Sequence, residues 1–189
     1  MRRAVPRFIL ASLFLVTAFA QTRPSPNFTV RRIGNAAPLK IESLRGKIVV
    51  LTFILTTCPH CQDLTENTLI PISKEYVRRG VEIVECAMDD GAAKLLPEFI
   101  ARFKPTFTVG YAPSADIYAY TQRSAVDQRP FYVPHIVFID RRGVIQAEYG
   151  GETNFVAQGP AKMREELDKM LAIKAPAAKG RGAKTSKAK

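Results

Sequence analysis

The run Ile48-Val49-Val50-Leu51-Thr52-Phe53-Ile54-Leu55 constrains this chain more than any other stretch. It is almost wholly apolar, rich in β-branched residues and without alternation, which suits a strand covered on both faces. Such a strand needs strands at its edges and helices above and below it, so an α/β architecture follows. The run leads into Thr56-Thr57-Cys58-Pro59-His60-Cys61 and then into a mixed polar and apolar stretch to Gly80 that predicts a helix. Pro59 suits the first helical turn, where its missing N–H would have no partner anyway. Pro71 is expected to kink or break that helix.

Downstream, residues 81–87 alternate as a second strand and residues 92–103 predict a helix. Residues 106–109 read as a short extended piece and 114–122 as a further helix. Residues 136–139 and 144–149, separated by Arg141-Arg142-Gly143, carry a hairpin signal. A closing amphipathic helix over 153–173 would present Phe155, Val156, Met163, Leu167, Met170 and Leu171 as its apolar stripe. Upstream, residues 21–27 read as a linker and 28–33 as an edge strand ahead of the turn-rich 34–38. The fold class is therefore α/β, a central mixed β-sheet flanked by helices over residues 28–173, with no internal repeat.

The 189 residues and their 47% apolar content suffice for one compact domain. Residues 1–20 read as a signal peptide: Arg2, Arg3 and Arg7 precede a mostly apolar run, and Ala18-Phe19-Ala20 has the small-x-small form of a cleavage site. The expectation is an exported protein, periplasmic or otherwise extracytoplasmic, that begins near Gln21. The apolar run is shorter than the roughly 20 residues of a spanning helix, and uncleaved it would serve as an N-terminal anchor.

The formal charge of +11 is concentrated at the ends. Three basic residues lie in the first twenty and six in 174–189, which leaves 19 basic against 17 acidic side chains between them. That near balance removes any reason to expect a nucleic-acid partner. The tail, 174–189, lacks the apolar residues needed to offset chain entropy and is expected to be disordered, a solubilising segment or a weak contact to anionic lipid. Membrane contact is thus expected only through the N-terminal segment or this tail.

Three cysteines are too few for a disulfide-stapled scaffold, and Cys58 and Cys61 are three apart, which points to chemistry or metal. Cys86 lies within the alternating strand and reads as an inert core thiol. At the junction of strand and helix, Cys58 would sit near unpaired backbone N–H groups whose partial positive charge favours a thiolate. Cys58 is then the nucleophile and Cys61, one turn in, the resolving thiol. His60 would add positive charge when protonated, or else be a solvated helix residue paired with Asp63. This chemistry needs no cofactor, and its partners are protein thiols and disulfides, including a redox-partner protein.

Over residues 28–173 the chain resembles the thioredoxin superfamily. The resemblance rests on strand, Cys58-Pro59-His60-Cys61 and helix; on Val133-Pro134 just before a strand, where the superfamily has its cis-proline loop; and on the hairpin and terminal helix that follow. The N-terminal extension, the entry Leu44-Arg45-Gly46-Lys47 and the long separation of Cys58 from Pro134 are most similar to the exported TlpA and ResA branch, with its insert between the CxxC helix and the cis-Pro loop. The Cys-Pro-His-Cys motif and the Val-Pro pair resemble the oxidant DsbA. The resemblance implies a thiol-disulfide oxidoreductase with a Cys58–Cys61 redox disulfide, Pro134 beside it and the Val133 backbone free to pair with an extended substrate segment.

The departures are equally specific. Thr57 stands where thioredoxins have Trp, Thr52 where thioredoxin buries a carboxylate, and Leu64 where ResA-like proteins place a Glu. Asp63 and Glu66 are left as candidates for handling the Cys61 proton. A peroxiredoxin pattern would need Thr at 55 and Pro at 51, and this chain has Leu at both. His60 points toward the oxidising end of the scale and the overall architecture toward reductants. The rival class is a metallochaperone: Cys58, Cys61 and His135 would make a soft Cu(I) site similar to that of Sco-type proteins, which space their cysteines one residue wider. A structural Cys58–Cys61 disulfide is the third reading.

Overall fold

The computed structural model describes residues 22–123 and 130–173. The apolar run forms β4 (Ile48–Ile54), all seven of whose residues are buried. It lies centrally, parallel to β5 (Val81–Ala87) on one side and antiparallel to β7 (His135–Ile139) on the other. β6 (Thr108–Tyr111) extends the sheet in parallel beyond β5, while β8 (Val144–Tyr149) and β1 (Arg23–Pro24) extend it antiparallel beyond β7, giving the order β1-β8-β7-β4-β5-β6. This is the thioredoxin-like mixed sheet.

The alternation of β4 assigns its two faces. Ile48 and Val50 join Ile83, Ile136 and Phe138 beneath the helix that follows the cysteines and the last helix, α5 (Gly159–Ala172). Val49, Leu51 and Phe53 face the other way, onto Phe28, Val30, Ile117 and Tyr120. That second face is closed by a small antiparallel pair, β2 (Thr29–Val30) with β3 (Leu39–Lys40), and by α4 (Ser114–Tyr120). A third cluster joins Ile54, Ala87 and Cys61 to Ala92, Leu96, Phe99 and Phe103 of α3 (Ala92–Phe103), at the end of the sheet where the cysteines lie.

The helix after the cysteines does not break at Pro71. It runs as α1 (Pro59–Asp63), a π-helical turn (Leu64–Leu69) and α2 (Ile70–Tyr76), and ends in a short 3₁₀ segment capped by Gly80 at φ 80°. In the π register the Ile70 N–H donates to the Thr65 carbonyl, five residues back, so the helix shifts its hydrogen bonding just ahead of the proline that cannot donate. Two other expectations are corrected. Residues 21–27 are not simply a linker, because Arg23 and Pro24 pair with Ile145 and Val144, and Ser25 Oγ lies 2.9 Å from the Tyr120 hydroxyl. The last helix begins at Gly159 rather than 153, with Pro160 in its first turn and Phe155 packed beneath Tyr149 and Phe138. The hairpin forms as read, with a bulge between Phe138 and Ile139. The segments read as a signal peptide, 1–20, and as a disordered tail, 174–189, lie outside the described residues.

Candidate active site

β4 delivers the cysteines to one end of the sheet. After Ile54 the chain turns through Leu55-Thr56-Thr57, and Cys58 becomes the N-cap of the helix with extended backbone, followed by Pro59 in the first helical turn. The turn is held from outside: the Asp89 carboxylate accepts from the Thr56 N–H at 3.0 Å and from the Thr56 hydroxyl at 2.9 Å, and Gln62 donates to the Thr56 carbonyl at 2.8 Å. Residues 92–103 were legible as a helix, but Asp89 as the brace of this turn was not, because no local pattern ties it to Thr56.

Both cysteines are free thiols. Cys58 is half-buried; Cys61 is fully buried one turn along, and its thiol is hydrogen-bonded to the Cys58 side chain. Burial is the main reason the Cys61 thiol is pushed far above the ordinary range, and the bond to Cys58 adds to it. A backbone hydrogen bond from Leu55 acts the other way. The pair is therefore asymmetric, with one sulfur reachable and the other held protonated behind it, the arrangement that separates an attacking thiol from a resolving one.

The Val133–Pro134 peptide is cis. Val133 and Cys58 both pack against the cluster that contains Cys61, so the loop before β7 and the start of α1 share one cluster although they are far apart in sequence. On its other side the loop runs close to Gly151, where a Cβ would lie 2.5 Å from the Val133 carbonyl oxygen. His60 is exposed on the first turn, and the expected pairing with Asp63 is replaced by a 2.7 Å bond from Asn67 to Asp63. Asp63 and Glu66 are exposed while Leu64 is buried, so neither acid faces the enclosed sulfur of Cys61.

Cys86 is fully buried on the opposite face of the sheet, among Phe53 and Val84, and burial holds its thiol far above the ordinary range.

The carboxylate that faces inward is Glu85. The β4–β5 register sets it beside Thr52, the strand position that lacks an acid, and it is completely buried. Thr65 Oγ1, in the π turn, donates to Glu85 Oε1 at 2.6 Å, and Glu85 Oε2 is buried without a partner among the described residues. Burial pushes this carboxyl up to about 8, against the opposing effect of the Thr65 bond. A signal for it was present: Val81, Ile83, Glu85 and Ala87 share one strand face, so alternation places a lone acid in an apolar row.

The set Cys58, Cys61 and His135 does not assemble into a metal site, and among the described residues no group of three His, Cys, Asp or Glu does so. His135 pairs with Phe53 in the β4–β7 register and so points to that face, away from the cluster that holds Cys61. Its ring stacks on Phe131 at 5.0 Å and lies 6.2 Å from Phe53, and burial holds the imidazole down near 4.

Known structures share this arrangement of strands and helices. A thiol:disulfide interchange protein of the thioredoxin family from Chlorobium tepidum is 20% identical, with a TM-score of 0.65 over 80% of this chain and 98% of its own. A thiol:disulfide interchange protein from Bacteroides sp. is 17% identical, with a TM-score of 0.61 over 88% of this chain and 97% of its own. The thioredoxin domain of a thiol-disulfide oxidoreductase from Bacteroides vulgatus is 17% identical, with a TM-score of 0.62 over 79% of this chain and 96% of its own. No curated protein matches the chain. The Redoxin family model matches residues 20–161, most of the described molecule, and the chain belongs to the Redoxin family.

Proposed function

We propose that this protein is an exported thiol-disulfide oxidoreductase that exchanges disulfides with partner proteins through Cys58 and Cys61. The observation that carries this reading is the asymmetry of the pair: Cys58 half-buried at the start of a helix, Cys61 enclosed behind it, and Val133 packed against the same cluster. In the forward direction the Cys58 thiolate attacks a partner disulfide and forms a mixed disulfide. Cys61 then attacks Cys58 Sγ, the Cys58–Cys61 disulfide forms and the partner leaves as a dithiol. The reverse sequence oxidises the partner. The Val133 backbone, at the edge of the site, would pair with an extended segment of the partner, and Pro134 would shield the sulfurs from metal.

Export is supported by the basic start, the apolar run and the small-x-small site of residues 1–20. Kinship with the TlpA and ResA branch is supported by the N-terminal extension and by the length of chain between Cys58 and Pro134. A helix start at Cys58 stabilises the reduced form and so favours the oxidising direction, which the resemblance of Cys58-Pro59-His60-Cys61 to the DsbA motif also supports. The test is a Cys61→Ser variant expressed in the native host. It is expected to accumulate mixed disulfides with partner proteins through Cys58, seen as reductant-sensitive adducts that the Cys58→Ser,Cys61→Ser double variant does not form. Equal adducts in single and double variants would contradict the reading.

A further inference from the structure

The exchange reaction leaves one proton unassigned. Cys61 must lose it when it attacks the mixed disulfide, and Cys61 is buried away from solvent. Glu85 is completely buried, with one carboxylate oxygen held by Thr65 and the other unpartnered. Thr65 Oγ1 is also 2.8 Å from the Cys61 carbonyl oxygen, so one hydroxyl ties the turn bearing Cys61 to Glu85. The π register sets Thr65 on the sheet side of the helix at this point. Glu85 shares its face of β5 with Ala87, which packs in the same cluster as Cys61, and it is among the groups that raise that thiol.

The surroundings of Glu85 give its carboxylate little competition. In the sheet its neighbours are Thr52 of β4 and Val109 of β6, and Thr65 faces it from the helix. The titratable groups around it are Cys61, with Cys58 beyond it, and Cys86, its neighbour in β5; burial and the Thr65 bond account for its shift, with no cation among the causes. A buried carboxylate with a free oxygen and no cation to neutralise it is a poor structural element and a good proton acceptor.

We propose that Glu85 takes the proton of Cys61 in the resolving step, with Thr65 as its positioning residue. The step rests on the exchange reading above. The Cys61 Sγ–H proton passes to Glu85 Oε2 as Cys61 Sγ bonds to Cys58 Sγ; the Cys58–partner S–S bond breaks, and the partner sulfur leaves as thiolate with the electron pair. The cysteine pair is oxidised and the partner reduced, and Glu85 keeps the proton. When a partner thiol opens the Cys58–Cys61 disulfide, protonated Glu85 supplies the proton to Cys61.

The test uses the reduced full chain and the chromogenic disulfide dithiobisnitrobenzoate. Attack by Cys58 releases the first nitrothiobenzoate and resolution by Cys61 the second, so the ratio of the two rates isolates the proposed step. In the wild-type protein the second rate is expected to rise as pH passes through about 8 and then level off. Glu85→Gln is expected to lower the ratio by about tenfold or more and to move the rise to higher pH, where Cys61 ionises unaided. Thr65→Val, which removes the bond that lowers the Glu85 carboxyl, is expected to shift the midpoint upward; a structural role alone would leave that midpoint where it is. An unchanged ratio and profile in Glu85→Gln overturns the proposal and leaves the exchange reading standing. Should Glu85→Gln fail to fold, an unmoved midpoint in Thr65→Val overturns it. A wild-type protein that never releases a second equivalent overturns both.

Discussion

Glu85 and His135 are buried ionisable residues whose effects on the fold run in opposite directions with pH. The folded Glu85 carboxyl lies near 8 against an ordinary 4.5, so between these values the folded chain keeps a proton that the unfolded chain has lost. Its contribution is therefore fully present below about 4.5 and falls by about 1.4 kcal/mol per pH unit as pH rises toward about 8. His135 is lowered from 6.5 to about 4, and its contribution is lost as pH falls through that window. Glu85→Gln removes only the first dependence. It is expected to be more stable than the wild type at pH 8 by a few kcal/mol, with the difference vanishing near pH 4. Urea unfolding of both proteins at the two pH values checks this, and an equal difference at both would show that folding leaves the Glu85 carboxyl at its ordinary value. The cysteines and Pro134 were legible because their chemistry is written in local order. Alternation in β5 marks Glu85 as a lone acid in an apolar row, but the partners that give it a role, Thr52 and Thr65, are set by the parallel register and the helix, which no local pattern encodes.

Among the elements, those with a strong period of their own were readable: β4 by its unbroken apolar run, β5 by alternation, β7 and β8 by the turn between them. Of the two-residue strands, β2 falls within the edge strand read at 28–33, whereas β1 and β3 were not readable, since so short a segment is extended only because a partner strand holds it. The continuity of the helix through Pro71 was hidden for a related reason: the π turn that accommodates the proline is a choice of hydrogen-bond register. β6 depends on a close approach that the sequence marks only with a glycine. A Cβ at Gly110 would lie 2.2 Å from the Arg31 carbonyl oxygen and 2.6 Å from Val30 Cγ1, where Arg31 and Tyr111 exchange backbone hydrogen bonds. Gly110→Ala is expected to cost on the order of 1 to 3 kcal/mol through overpacking. This would appear as a lower denaturation midpoint with an unchanged slope, and an unshifted midpoint would mean that the β2 segment yields without cost.

At the scale of the molecule, the sheet carries the two cysteines, which follow β4, and the Val133-Pro134 loop, which precedes the adjacent antiparallel β7, to a common end. Braces from Asp89 and Gly151 fix that end, and a buried carboxylate lies behind it. Among the described residues no helix is long and apolar enough to cross a membrane. The central claim is that Cys58 and Cys61 form a working redox couple. Its most direct test is equilibration of the protein with glutathione buffers of graded potential, followed by counting of free thiols. One two-electron transition involving both cysteines is expected between about −270 mV, where thioredoxin lies, and about −120 mV, where DsbA lies, with Cys86 unreactive throughout. A pair that stays oxidised until below about −300 mV, as structural disulfides do, would contradict it.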